Sequence, residues 1–112
     1  MEHPEYAACI EACNSCADAC DRCAAACLDE EDIKMMARCI ALDIDCAQLC
    51  RLAAAVMARG GEIAAALCGV CAEACDRCAA ECGSHPMDHC QACAAACREC
   101  ADACRRMSFA AA

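Results

Sequence analysis

Tryptophan is absent from this 112-residue sequence, tyrosine and phenylalanine occur once each, and Ile, Leu, Val and Phe together supply only 13 side chains. So little bulky apolar material excludes a conventional oily core, and with a net charge of -9 the composition approaches that of a disordered chain. Basic residues are scarce too, with nine Lys and Arg against eighteen Asp and Glu. That balance offers no footprint for a phosphate backbone, and the missing aromatics leave nothing for bases to stack on, so nucleic acid is excluded as the main partner. No uninterrupted apolar stretch approaches the roughly 18 residues of a membrane span. The opening Met1-Glu2-His3-Pro4-Glu5-Tyr6 has neither the basic nor the apolar region of a signal peptide. A cytosolic protein with no membrane partner is expected.

What the chain has instead is cysteine, at nineteen positions, with 31 alanines around it. Thiols are kept reduced in the cytosol, so these cysteines read as metal ligands or redox groups before they read as a disulfide framework. Their odd number also prevents complete internal pairing. The length allows one domain, spanning residues 1–112.

Four cysteine-bearing segments are separated by short breaks, and helices are expected at about 5–28, 30–59, 62–82 and 86–107. Pro4 suits a helix start. Asp29, in the run Asp29-Glu30-Glu31-Asp32, is the expected cap of the second helix, and Gly60-Gly61 its stop. Gly83-Ser84-His85-Pro86 breaks the chain again, with Ser84 or His85 as the expected cap of the fourth helix. Connections this short force neighbours antiparallel, so the expected fold is all-α, an up-down-up-down four-helix bundle with a cysteine-lined core. An internal repeat supports it: residues 16–27 and 71–82 match at ten of twelve positions.

In the first segment the cysteines fall at Cys9, Cys13, Cys16, Cys20, Cys23 and Cys27, a strict alternation of four and three that fills one stripe of a helix. The third segment repeats it with Cys68, Cys71, Cys75, Cys78 and Cys82, and the fourth with Cys90, Cys93, Cys97, Cys100 and Cys104. The second is sparser, with Cys39, Cys46 and Cys50. Packing alone would use Ala, Val and Leu interchangeably and would not leave three seams almost purely sulfur. Residues four apart on a helix have Cβ atoms about 5–6 Å apart, too far for a disulfide but suited to a metal ion held between them. Eight such pairs occur, and only Cys39, Cys68 and Cys90 stand outside them.

Thiolates select soft ions. Monovalent Cu(I), one per thiolate, leaves the interior near neutral, whereas zinc in four-thiolate sites would carry two negative charges per site into the bundle centre. Iron–sulfur ligation usually adds loop-borne Cys-x-x-Cys-x-x-Cys spacing, which is lacking here. Many Cu(I) ions are therefore the expected ligand. Zinc or mixed soft-metal buffering, and thiol redox or cluster electron transfer, are the rival readings. Catalysis has little support, since no nucleophile with a paired base stands out.

The cysteine-striped helices and repeated Cys-x-x-x-Cys pairs resemble the cytosolic bacterial copper storage proteins along nearly the whole chain. The resemblance implies a four-helix bundle whose core thiolates bind many Cu(I) ions, largely in same-helix pairs, and protomers that assemble as homo-oligomers, often tetramers. The ligand role it implies is weakest at Cys39, which lacks a cysteine four residues away.

Met35, Met36, His85, Met87 and His89 gather at one end of the expected bundle, with Met35 and Met87 on the seam. Imidazole and thioether bind Cu(I), so His89, His85, Met35 and Met87 are candidate ligands where a copper donor or chaperone would deliver the ion. Gap-filling by methionine and capping by His85 are the alternatives. His3, Met57 and Met107 mark the opposite end. Asp43 falls on or beside the second seam, where a solvated helix edge is the expectation and an occasional oxygen ligand or a proton acceptor during loading is the alternative. Ile33, Ile40, Leu42, Ile44, Leu49, Leu52 and Val56 cannot all face one narrow seam, so some of them are expected to join protomers.

Overall fold

A computed structural model describes residues 4–110, and side chains at residues 6–108. His3, and the side chain of Phe109, lie outside the described residues. Four helices account for the architecture: α1 (Pro4–Leu28), α2 (Ile33–Ala58), α3 (Ala64–Gly83) and α4 (Asp88–Ala110). Each helix packs against its two neighbours around a closed square, α1 on α2 and α4, and α3 on α2 and α4.

Sulfur contacts fix the directions. Cys27 meets Cys39 while Cys16 meets Cys46, so α1 and α2 run oppositely. Cys39 meets Cys82 while Cys50 meets Cys71, which reverses α3 against α2. Cys9 meets Cys104 while Cys27 meets Cys90, which reverses α4 against α1. The bundle is therefore up-down-up-down, and at 48 × 19 × 18 Å it has width for a single file of inward side chains. Alanines that flank the sulfur, including Ala17, Ala94 and Ala101 at 0% exposure, let the helices approach this closely.

The breaks differ in detail from expectation. Asp32, not Asp29, caps α2, accepting from the Met35 N–H at 3.3 Å. Asp29 and Glu30 instead donate their backbone N–H groups to the carbonyls of Ala26 and Cys27, so they close the end of α1. Ser84 likewise belongs to α3: its N–H and its Oγ both donate to the Glu81 carbonyl. The His85 N–H donates to the Cys82 carbonyl, and α4 starts only at Asp88. Neither Ser84 nor His85 caps it.

At the other hairpin, Gly60 has a φ of 63°, the left-handed conformation that ends helices. The Gly60 N–H donates to the Met57 carbonyl and the Gly61 N–H to the Val56 carbonyl, the reciprocal pair of bonds of a Schellman turn. Surface ion pairs tie each hairpin across its helices, Arg51 to Asp18 and Asp21, and Arg105 to Asp76. Asp21 and Asp76 are equivalent in the internal repeat. These pairs are exposed and contribute to register more than to stability. Of the large apolar residues on α2, Val56 is buried, whereas Ile33, Ile44 and Leu52 remain about half exposed.

A Cβ on Gly61 would lie 2.6 Å from Val56 Cγ1. Gly61→Ala is expected to destabilise the metal-free protein by about 1–3 kcal/mol in urea unfolding. The cost should be smaller in a Val56→Ala background, and an equal cost in both would disprove the contact as its origin.

Candidate metal centre

All nineteen cysteines are free thiols, and none exceeds 1% exposure. The four-and-three alternation accounts for this, because it places every thiol of a segment on the one stripe that faces the bundle axis. Five of the eight same-helix pairs have sulfurs within 4.0 Å, from Cys23–Cys27 at 3.8 Å to Cys46–Cys50 and Cys93–Cys97 at 4.0 Å. The shortest contacts, however, cross between helices: Cys39–Cys82 at 3.2 Å and Cys50–Cys71 at 3.4 Å.

The sulfurs assemble into overlapping groups whose ligand atoms lie within 4.8 Å of one another. Near the α1–α2 turn stand Cys23, Cys27, Cys39 and Cys90; farther along come Cys20, Cys78, Cys93 and Cys97, and then Cys16, Cys46, Cys50 and Cys75. Toward the opposite end stand Cys13, Cys71, Cys100 and Cys104. Each of these groups draws on three helices. Soft, polarisable donors at this spacing suit a two- or three-coordinate soft ion.

Burial makes the proton the natural occupant of a thiol that has no metal, because removing a thiolate from water penalises its charge. Cys90 is pushed up to about 11, with burial as the largest cause and the Cys27 charge next. Cys39 is also raised, by burial first and the neighbouring Asp43 charge among the rest.

Asp43 is the main correction to the sequence reading. It is fully buried, with 0% exposure, rather than on a solvated edge. Its Oδ1 accepts from the thiols of Cys78 and Cys93 at 3.2 Å and of Cys82 at 3.4 Å, and Oδ2 faces Cys39 at 3.9 Å. Four thiol donors thus replace water around the carboxylate, which is what permits its burial. The register signal for it was present, since Cys39, Asp43, Cys46 and Cys50 continue the four-and-three alternation; the chemistry of a carboxylate argued the other way. Burial raises its carboxyl to about 7.

The four candidates at the α1–α2 end separate. His89 reaches the sulfur file, with Nδ1 at 3.5 Å from Cys90 Sγ, 3.6 Å from Cys23 Sγ and 3.9 Å from Cys27 Sγ. Its Nε2 meets the Glu30 carboxylate at 2.9 Å, a partner the sequence reading did not single out. His85 is buried but engages Glu81 at 2.8 Å through Nε2, and Glu81 also accepts from Arg38. Met87 is partly buried against the core. Met35 does not lie on the seam: it is 56% exposed, and Met36 is fully buried in its place. Positions three and four before Cys39 both satisfy a heptad seam, and the helix resolves the choice toward three. At the opposite end Met57 Sδ lies 3.6 Å from Cys68 Sγ.

The raised carboxyl of Asp43 gives a signed prediction for the metal-free protein. Its protonated form is favoured in the fold, so its contribution is fully present below the unfolded pKa of about 3.9 and is lost as pH rises through the folded value. Between the two, on the order of 4 kcal/mol of stability is at stake. Asp43→Asn should therefore lose less stability than the unsubstituted protein between pH 4 and pH 8, read by chemical denaturation. Parallel pH profiles would contradict the assignment.

Comparison with known proteins agrees with this geometry. A family model described as copper storage protein matches residues 2–109. A Cu(I)-bound copper storage protein, BsCsp3, is 44% identical, with a TM-score of 0.89 over 93% of this chain and 98% of that one. A cytosolic copper storage protein from Streptomyces lividans, in a structure with five coppers, is 40% identical, with a TM-score of 0.91 over 94% of this chain and 92% of that one. The uncharacterized cysteine-rich protein YhjQ of Bacillus subtilis is 46% identical over 87 residues, covering 78% of this chain and 81% of that protein.

Proposed function

From the premise that this chain belongs to the copper storage protein family, we propose that it sequesters many Cu(I) ions on the thiolates of its nineteen core cysteines, as a non-enzymatic store. The observation that carries the reading is the sealed, continuous file of sulfur groups, each drawing on three helices. On balance each Cu(I) taken up displaces one thiol proton: one S–H bond breaks, the thiolate bonds copper and is shared with a neighbouring ion, and one proton leaves to solvent. The cation then replaces the proton as the charge partner of a buried thiolate, and the interior stays near neutral.

The eight four-apart pairs supply the main ligands, and cross-helix neighbours complete them at Cys39, Cys68 and Cys90. The same-helix pair holds an ion with little rearrangement, while the short Cys39–Cys82 and Cys50–Cys71 contacts let it be shared across a helix boundary. The end bearing His89 is the route of uptake. His89 supports this best, because its ring touches three thiols while remaining partly exposed. Met87 and His85 stand at the same end of the bundle, and the exposure of Met35 there would let it meet a copper donor protein. Copper chemistry and cytosolic location follow the relatives; among the described residues no helix is long and apolar enough to cross a membrane.

The half-exposed Ile33, Ile44 and Leu52 on α2 support self-association into a homo-oligomer, with a tetramer as the expected form. Sedimentation at micromolar concentration should find a species heavier than the 11.6 kDa chain; a monomer there would end that part of the reading.

An anaerobic Cu(I) titration against a chromophoric chelator tests storage itself. Uptake approaching one ion per thiol is expected, with a rise in thermal midpoint as ligand binding favours the fold. Saturation at one or two equivalents would refute storage.

A further inference from the structure

The three cysteines outside the four-apart pairs each stand beside a donor that is not cysteine, as do the paired Cys78, Cys82 and Cys93 at Asp43 and Cys23 and Cys27 at His89. Cys39 faces the Asp43 carboxylate at 3.9 Å, Cys90 the His89 imidazole at 3.5 Å, and Cys68 the Met57 thioether at 3.6 Å. The carboxylate and the imidazole belong to the sulfur file and its mouth, already described. The thioether stands at the opposite end, where no role has been given to it.

We propose that Met57 Sδ and Cys68 Sγ form a mixed thioether–thiolate site for a soft monovalent ion, closing the far end of the file. The inference rests on the storage reading and adds a ligand of a different kind to it. Positions four residues to either side of Cys68 are Ala64 and Ala72, both buried and without a donor atom. A four-apart pair is therefore closed to this thiol, whose sulfur neighbours besides Met57 are Cys9 and Cys104 on other helices and Cys71 three residues on. Met57 comes from α2 instead, and its side chain is 2% exposed, with its sulfur turned inward to Cys68 rather than out to solvent. The Schellman turn at Gly60 fixes the backbone that carries it, because the Gly60 N–H donates to the carbonyl of Met57 itself.

Charge favours this pairing at the end of the file. A thioether donates its lone pair without losing a proton, so a monovalent cation held by one thiolate and one thioether is neutral. Inside the file, thiolates shared between neighbouring ions keep the charge balanced; at its end, two unshared thiolates on one ion would leave a net negative charge in a dry position. Uptake at this site breaks one S–H bond, forms one Cu–S(thiolate) bond and releases one proton, while the thioether completes the coordination. Hard or borderline divalent ions gain little from a thioether, so the site selects for softness as well as charge.

The test uses the full chain carrying methionine labelled with carbon-13 at the methyl group, titrated anaerobically with Cu(I). The Met57 methyl resonance is assigned as the one lost in Met57→Leu, a volume-conserving change that the core should tolerate. It should shift during loading, and the shift should vanish in Cys68→Ala while the helical circular dichroism and most of the copper capacity remain. A Met57 resonance that stays unmoved through saturation would overturn the site, and so would a shift that persists in Cys68→Ala, since it would then report general filling of the file. The chelator count made on the same samples separates the two readings: full uptake with an unmoved Met57 resonance defeats this site alone, whereas uptake of only one or two ions defeats storage.

Discussion

A thiolate removed from water needs a positive charge beside it, either its own proton or a metal ion. In this chain nineteen thiols stand in one dry file, and there is little else to make a core of. The atoms that pack the bundle are therefore the atoms that bind. Ordinary domains separate these duties, with a hydrophobic interior holding a few polar groups in place. Here the alanine flanks bring the helices close, closeness excludes water, and the absence of water makes the choice between proton and cation the governing equilibrium of the interior. Asp43 sits inside that equilibrium: its carboxylate is tolerated because Cys78, Cys82 and Cys93 donate to it. Those donors disappear when their thiols give up protons, so the state of the carboxylate and the state of the surrounding sulfurs depend on one another.

The overlap between sulfur groups adds a second consequence. Cys16 and Cys46 belong both to the group with Cys50 and Cys75 and to the group with Cys20 and Cys97; Cys20 and Cys97 belong also to the group with Cys78 and Cys93. An ion placed in one group removes ligands from the next and alters its charge. Filling is thus coupled along the file rather than a sum of separate sites. Because each of these groups spans three helices, an ion shared across a group would also cross-link the bundle, and the fold would gain from loading even though its large apolar side chains are few.

The helical stripes were legible in the sequence because four-and-three spacing is a backbone property, and sulfur at those positions leaves no other face to bury. The bundle followed from the short breaks for the same reason. What was not legible depended on contacts between segments. Asp43 lies in register with Cys39 and Cys46, but its burial becomes reasonable only when the thiols of α3 and α4 arrive around it. Met35 and Met36 both fit a seam when read from Cys39 alone, and only packing against the neighbouring helices decides for Met36. Asp29 and Asp32 are both good caps in isolation. The choice falls to Asp32 because the N–H groups of Asp29 and Glu30 are taken up by the last carbonyls of α1, which extends the turn and delays the next helix. Glu30 then stands where it can reach His89, a relation between residues 59 apart that no local pattern announces.

The two ends of the file are chemically different, and the difference follows from the turns that close them. At the α1–α2 end the turn is acidic and open enough to leave His89 partly exposed, with one ring nitrogen on Glu30 and the other facing three thiols. An imidazole in that position can exchange with solvent and with sulfur. At the α2–α3 end a glycine turn folds tightly onto Val56, and Met57 and Met107 are both nearly sealed. Thioethers carry no proton and offer no path for one. That asymmetry supports the proposed uptake at the histidine end, from which a file of shared ligands would carry the effect of each arrival along the bundle toward the methionine end.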